Sequence, residues 1–332
     1  MTAITPVGEG PSGETIHRIN IGDGPLTASL LTLGATLQDV RLAGIAHSLT
    51  VGSPDIAAYS AGLRYCGAIV GPVANRITGA QAMINGQTHR FDANEGPNTL
   101  HGGATGTHAQ IWTVSDHTTN SATLQLDLPD GLGGFPGNRQ IIAQFKITGN
   151  TLTLTLSATT DATTLMNLAN HSYWHLDEAP TTAGHSLQVA ADHYTPTSLE
   201  TLLPTGQIVP VENTRFDNRQ PRTLQAGAEG LIDTNFCLSD SRQPLRPVAW
   251  LRGTSGLNME FATTEPGLQV FDGHILNQPD FPGNDGPPHR AYGGCALEAQ
   301  FWPDAPNNPN FPDISLRPNT PWQQITSWTF SR

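Results

Sequence analysis

The chain has 332 residues, 37 % hydrophobic and only 13 % charged, with a formal net charge of -12. Lys146 is its only lysine, which excludes a non-specific nucleic-acid binder built on a basic patch and disfavours an anionic sugar phosphate as ligand. Thr, Asn, Gln and Ser take the place of the missing charges, so the chain reads as folded rather than disordered.

The 34 glycines and 26 prolines predict many turns and few long helices. Cys66, Cys237 and Cys295 are far apart and odd in number, which argues against a disulfide framework and fits a reducing, cytoplasmic setting. Residues 1–20 lack the basic-then-apolar pattern of a secretory signal, and no apolar run approaches the roughly 18 residues of a membrane span.

Residues 1–14 read as a loose lead-in. Short strands follow between Ile16 and Val51, punctuated by Gly34 and Gly44, and a short helix is expected near Asp55–Ser60. Cys66–Val70 is an apolar run and reads as a buried strand or strand end, leading into Gly71–Ile77. Asn85-Gly86, between strand-like flanks, is the strongest hairpin signal in the chain. Glu95–Gly103 is a loop by composition. Leu124, Leu126 and Leu128 share a face, Ile141–Thr148 reads as a strand, and Thr151–Ser157 alternates Thr with Leu as a half-buried strand does.

Asn170-His171-Ser172-Tyr173-Trp174-His175-Leu176 combines strand-like composition with polar and titratable side chains. As one strand it would place His171, Tyr173 and His175 on one face and Asn170, Ser172 and Trp174 on the other. Such a face suits a small polyhydroxylated ligand. It also suits a packed strand with satisfied histidines. Further strands are expected at Leu187–Tyr194, Ile232–Leu238, Leu257–Phe261, Leu268–Phe271, Ala296–Phe301 and Trp322–Phe330, with a short helix near the end of the polar segment 212–230. Asn277–Arg290 is a polar loop able to rim a site. With no linker and no repeat, the simplest reading is all-β: a single large antiparallel two-sheet sandwich spanning residues 1–332.

Glu298 is an acid inside an otherwise apolar strand, a position that is paired, exposed or functional. His101 precedes Gly102-Gly103, which permit either close approach to a ligand or a tight turn. Arg76, after Asn75, is placed either to donate to hydroxyls or to clamp a loop. Asp233 precedes a strand and could cap backbone amides. His274 and His289 flank the polar loop. No metal-binding, phosphate-loop, dinucleotide or serine-hydrolase motif is present, and four-residue spacing of His171 and His175 along a strand does not make a zinc site. Glu298 and Asp233 leave a glycosidase pair open.

Taken in order, Gly71–Ile77, Asn98–Gly103, Asn170–Leu176, Ile232–Phe236, Pro266–Phe271, Leu297–Gln300 and the downstream Pro303–Asn307 and Leu316–Pro318 resemble the motifs of the aldose 1-epimerase (galactose mutarotase) family. The resemblance covers most of the chain. It implies a large antiparallel β-supersandwich of the galactose mutarotase-like type and anomer interconversion of a free monosaccharide, without cofactor or metal. It implies Glu298 as general base and His171 as general acid. It also implies that Asn75, Arg76, His101, Asp233 and Gln269 contact the sugar and that Tyr173 lines the pocket. These roles need His171 protonated and Glu298 ionised, which ordinary pKa values of about 6.5 and 4.3 permit. A monomer or homodimer, not bound to membrane or nucleic acid, is expected. Alternatives are a hexose-6-phosphate 1-epimerase and a non-catalytic carbohydrate-binding or sensor protein. Pro72, Thr234, Trp174, His175 and Phe271-Asp272-Gly273-His274 depart from the family pattern and bear on sugar preference rather than on the reaction.

Overall fold

The Thr/Leu alternation of Thr151–Thr160 is realised residue by residue: Leu152, Leu154 and Leu156 are buried while the intervening threonines remain partly exposed. This strand is central to a nine-stranded antiparallel sheet in the computed structural model, which describes residues 4–10, 12–198 and 200–332. One flank is the hairpin chain Thr113–His117, Ser121–Leu128 and Arg139–Thr148. On the other side lies Trp322–Ser331, which pairs Thr151–Thr160 on one edge and Asn258–Thr263 on the other. The C-terminal strand thus stitches the first half of the chain to the second.

A second sheet of six strands carries the site. Its order is Tyr173–Trp174, Cys295–Gln300, Gly267–Phe271, Asp233–Cys237, His193–Thr195 and Val209–Pro210, antiparallel throughout. Register decides what each face presents. Glu298 pairs with Gln269, which pairs with Asn235; Tyr173 pairs with Ala296, which pairs with Phe271, which pairs with Asp233. By the two-residue period these side chains share one face. Trp174, Leu297, Leu268, Val270 and Phe236 point the other way, into the main core with Leu124, Phe145, Leu154 and Trp328 of the larger sheet.

The expected strands and the Asp55 helix signal are largely realised. Ile56–Ser60 is a short 3-10 helix, and Asp55 caps it by accepting from the Ala57 amide at 2.9 Å. Gln81–Ile84 and Gln87–Arg90 form the expected hairpin, with positive φ at both Asn85 and Gly86. Of the Cys66–Val70 run only Ile69–Val70 is strand; Cys66 and Gly67 turn.

Four expectations are corrected. Ile4–Glu9 is not loose lead-in but the edge strand of a four-stranded sheet, paired with Thr15–Asp23; its largely exposed side chains leave no apolar alternation to read. Residues 1–3 and 11 lie outside the described residues. This third sheet also amends the two-sheet picture, since its Ile19, Leu30 and Leu37 join the same core. The segment 212–230 holds turns and the two-residue strand Arg222–Thr223 rather than a helix. Finally, Asn170–Leu176 is not one strand. Ala169–Asn170 pairs with Ile69–Val70, Tyr173–Trp174 pairs with Cys295–Ala296, and His171–Ser172 crosses between the two ladders. Asn170 makes the crossing: its Oδ1 accepts from the Ser172 amide at 3.3 Å while its Nδ2 donates to Gly67 O at 2.8 Å.

Candidate active site

Glu298 sits mid-strand in the six-stranded sheet and His171 at the crossing, and their side chains meet with Oε1 of Glu298 3.6 Å from Nε2 of His171. Both are almost wholly buried. Among the described residues, Glu298 Oε2 and His171 Nδ1 are buried without a hydrogen-bond partner. Burial, reinforced by the nearby Asp233 carboxylate and opposed by Arg76, holds the Glu298 carboxyl well above the usual carboxylate range. Burial pushes the His171 imidazole down to about 4. The expectation of a protonated histidine and an ionised glutamate at ordinary pKa values is therefore corrected: in the closed pocket each residue is driven toward its neutral form, because a dry environment penalises either charge.

Next to this pair lie Asn75, Arg76 and His101. Arg76 and Leu100 pair across a two-residue ladder, and both flanking residues, Asn75 and His101, adopt left-handed backbone at φ 61° and 53°. The His101 amide donates to Asn75 O at 2.9 Å, and the Asn75 amide donates to His101 Nδ1 at 3.1 Å. An accepting Nδ1 places the proton of the neutral ring on Nε2, which leaves Nε2 as a donor. Burial, then His171, His108 and Arg76, hold His101 well below its ordinary value, so it stays neutral. Gly102, at φ +84°, answers the question its sequence posed: a Cβ there would lie 2.0 Å from Gly71 O, so the backbone must pass too close for any side chain.

Arg76 is held in a fork by Glu95, Nε to Oε2 at 2.6 Å and Nη2 to Oε1 at 2.8 Å. Across the cleft Gln269 Nε2 donates to Asp233 Oδ1 at 2.5 Å, and Gln269 Oε1 is buried without a partner among the described residues. Burial raises the Asp233 carboxyl, with Arg76 and Gln269 opposing. Asn75, Arg76, Asp233 and Gln269 line a narrow cleft whose remaining wall includes Leu202, Pro204 and Pro303. Tyr173 stacks on His171 with ring centroids 5.1 Å apart and meets Phe271 edge-on at 6.0 Å.

The eight residues that the resemblance implies for the site thus gather at one place, and His175 does not join them. It lines a separate cavity with His47 and His289, and its ring lies 5.2 Å from His185. His289 is tied to Gly52 O at 2.7 Å. Thr234, a departure from the family pattern, is on the core face, opposite the cleft. Asp272 and His274, also departures, bond to each other at 2.8 Å, and the His274 ring packs on Phe271 at 4.9 Å. Sequence reasoning missed Glu95, whose partner lies 19 residues away, Tyr65, whose ring packs on that of the site residue His101, and His108, whose ring packs in turn on Tyr65. The adjacency of Tyr65 to the Cys66–Val70 run was the only local signal for it.

The chain matches the family described as aldose 1-epimerase over residues 17–329. It is 34 % identical over 337 residues to the galactose mutarotase of Mus musculus, with 98 % of each chain covered. It is 32 % identical over 334 residues to that of Homo sapiens, covering 98 % of this chain and 97 % of the relative. Among solved structures, an aldose epimerase homologue from C. elegans superposes with a TM-score of 0.88 at 30 % identity, covering 95 % of this chain and 98 % of that one. The chain belongs to the aldose 1-epimerase family.

Proposed function

We propose that this protein interconverts the α and β anomers of a free aldose, with Glu298 and His171 as the proton-transfer pair. The observation that carries the proposal is the buried contact between Glu298 Oε1 and His171 Nε2, 3.6 Å apart beside Asp233 and Arg76. Glu298 takes the proton of the anomeric hydroxyl while His171 gives one to the ring oxygen. The bond between C1 and the ring oxygen breaks, leaving an aldehyde. Rotation about C1–C2 and closure on the other face reverse both transfers.

Burial gives these steps a direction. Opening converts a carboxylate and an imidazolium into a carboxyl and a neutral imidazole, so both transfers discharge the pair. The desolvation that raises Glu298 and lowers His171 favours that half of the cycle. Without sugar the pair carries the same single proton in neutral form. A sugar hydroxyl donating to the carboxylate, with Arg76 nearby, favours the charged form from which opening begins. The His101 Nε2 proton and the Arg76 fork are suited to hydroxyl or developing oxygen charge, and the Asp233–Gln269 pair to further hydroxyls.

Substrate class follows from charge. Among the described residues that line the cleft the one cation, Arg76, is already paired with Glu95, and the Asp233 and Glu298 carboxyls lie close by, which disfavours a sugar phosphate. A neutral aldose such as galactose or glucose fits better than a hexose 6-phosphate. The free thiols of Cys66, Cys237 and Cys295 fit action in the cytoplasm. The test is polarimetry on a freshly dissolved single anomer. Acceleration over spontaneous mutarotation is expected; none with galactose, glucose, xylose, arabinose or fucose overturns the reading, and sugar binding without acceleration selects a sensor instead.

A further inference from the structure

Resting on that reading of His171 and His101, we propose that Tyr65 is a positioning residue for the reaction, its ring fixing the angle between the two imidazoles. The ring lies 4.8 Å from that of His101 and 6.3 Å from that of His171, nearly parallel to the latter at 20°. His101 and His171 themselves meet edge-on at 5.2 Å. Behind Tyr65 stands His108, edge-on at 4.7 Å, and Val70, Ala74 and Ala169 pack against the tyrosine as a small apolar patch.

The same turn that carries Tyr65 also holds the backbone of His171. The Ala68 amide donates to Tyr65 O at 3.1 Å and closes the turn; the His171 amide donates to Ala68 O and the Gly67 amide to His171 O, each at 2.9 Å. His171 belongs to no strand ladder at this point, so these bonds and the flat ring are what determine its orientation. Its backbone is set by residues 67–68 and its imidazole is bounded by Tyr65 on one side and Tyr173 on the other. Tyr65 therefore excludes water from His171 and His101 together, and a non-aromatic side chain would free both rings.

The titratable groups that face His171 are Glu298 from the six-stranded sheet, His101 from the short ladder, and Tyr173 and Tyr65, with His108 on its 3-10 turn further lowering its pKa. The test compares Tyr65→Phe and Tyr65→Leu in full-length protein by anomer-exchange kinetics across pH. Tyr65→Phe keeps the flat ring and should keep kcat within about twofold; Tyr65→Leu should lower kcat by about 10- to 100-fold, the loss expected of a misplaced catalytic group, with a smaller change in KM. In Tyr65→Leu, water reaches His171, so the acid limb of kcat/KM should move up from near 4 toward about 6.5. If Tyr65→Leu does not fold, Tyr65→Met supplies comparable volume without the flat face and is read in the same way. An unmoved acid limb, a loss confined to KM, or an equal loss in Tyr65→Phe overturns the proposal. Wild-type protein that accelerates no mutarotation overturns instead the reading of the site on which it rests.

Discussion

Glu298 and His171 approach to 3.6 Å with side chains only 3 % and 7 % exposed, and burial drives their pKa values in opposite directions. For Glu298 the folded pKa lies above the unfolded one, so its contribution to stability is present below about 4.3 and is lost as pH rises through the folded value. Glu298→Gln removes the ionisable group while keeping the shape. The variant should therefore gain in melting temperature relative to wild type as pH increases, with a larger difference at pH 8 than at pH 5. Thermal unfolding followed by circular dichroism reads this directly, and a difference that shrinks with pH would contradict the buried carboxyl.

The pH dependence of kcat/KM follows from the same pair. The competent free enzyme carries one proton on the two residues, and activity falls when His171 also protonates. That places the acid limb near 4, well below the ordinary histidine range. The alkaline limb follows loss of the Glu298 proton and lies well above the usual carboxylate range. A rate profile in wide-range buffer checks both, and an acid limb near 6.5 would show that His171 is solvated in the free enzyme.

Arg76→Lys retains the charge but not the fork to Glu95. Losing one charge-assisted hydrogen bond removes about 1.5–3 kcal/mol of positioning, so kcat/KM should fall roughly 10- to 100-fold. Steady-state kinetics with a neutral hexose measure it. A lysine enzyme as active as wild type would mean that the fork only ties down the Glu95 loop.

Gly102→Ala tests whether His101 is held by its backbone. The new Cβ would fall 2.0 Å from Gly71 O at a φ of +84°, where a side chain is already strained. The turn must shift, taking with it the reciprocal bonds between His101 and Asn75. A loss of at least about 1–3 kcal/mol in urea unfolding is expected, together with a marked fall in activity. A variant with unchanged stability would show that the turn relaxes freely.

Much of this molecule is legible where a local rule applies. The threonine–leucine alternation of Thr151–Thr160 and the Asn85-Gly86 hairpin are sequence patterns with one structural meaning, and both appear as expected. The site residues were legible as an ordered series of motifs, and they do converge. The break at His171–Ser172 was not legible, because it is imposed by two ladders whose partners, Ile69–Val70 and Cys295–Ala296, lie about 100 residues upstream and 120 residues downstream. Edge strand Ile4–Glu9 was missed because its stability comes from backbone pairing and not from buried side chains. Glu95 and Tyr65 act on residues distant in sequence. The protonation of the central pair depends on burial, which no spacing of residues records.

The most direct test is exchange between the α and β anomeric protons of galactose, measured by saturation-transfer NMR with wild type, Glu298→Gln and His171→Asn at equal concentration. The wild type should transfer saturation between the anomers well above the spontaneous rate. Each substitution should lower catalysed exchange by about 10²- to 10⁴-fold, the usual loss when a general acid or base is removed. Exchange in Glu298→Gln equal to wild type would contradict the assignment of Glu298 as base, and no catalysed exchange by the wild type with galactose or any other aldose would contradict the function itself.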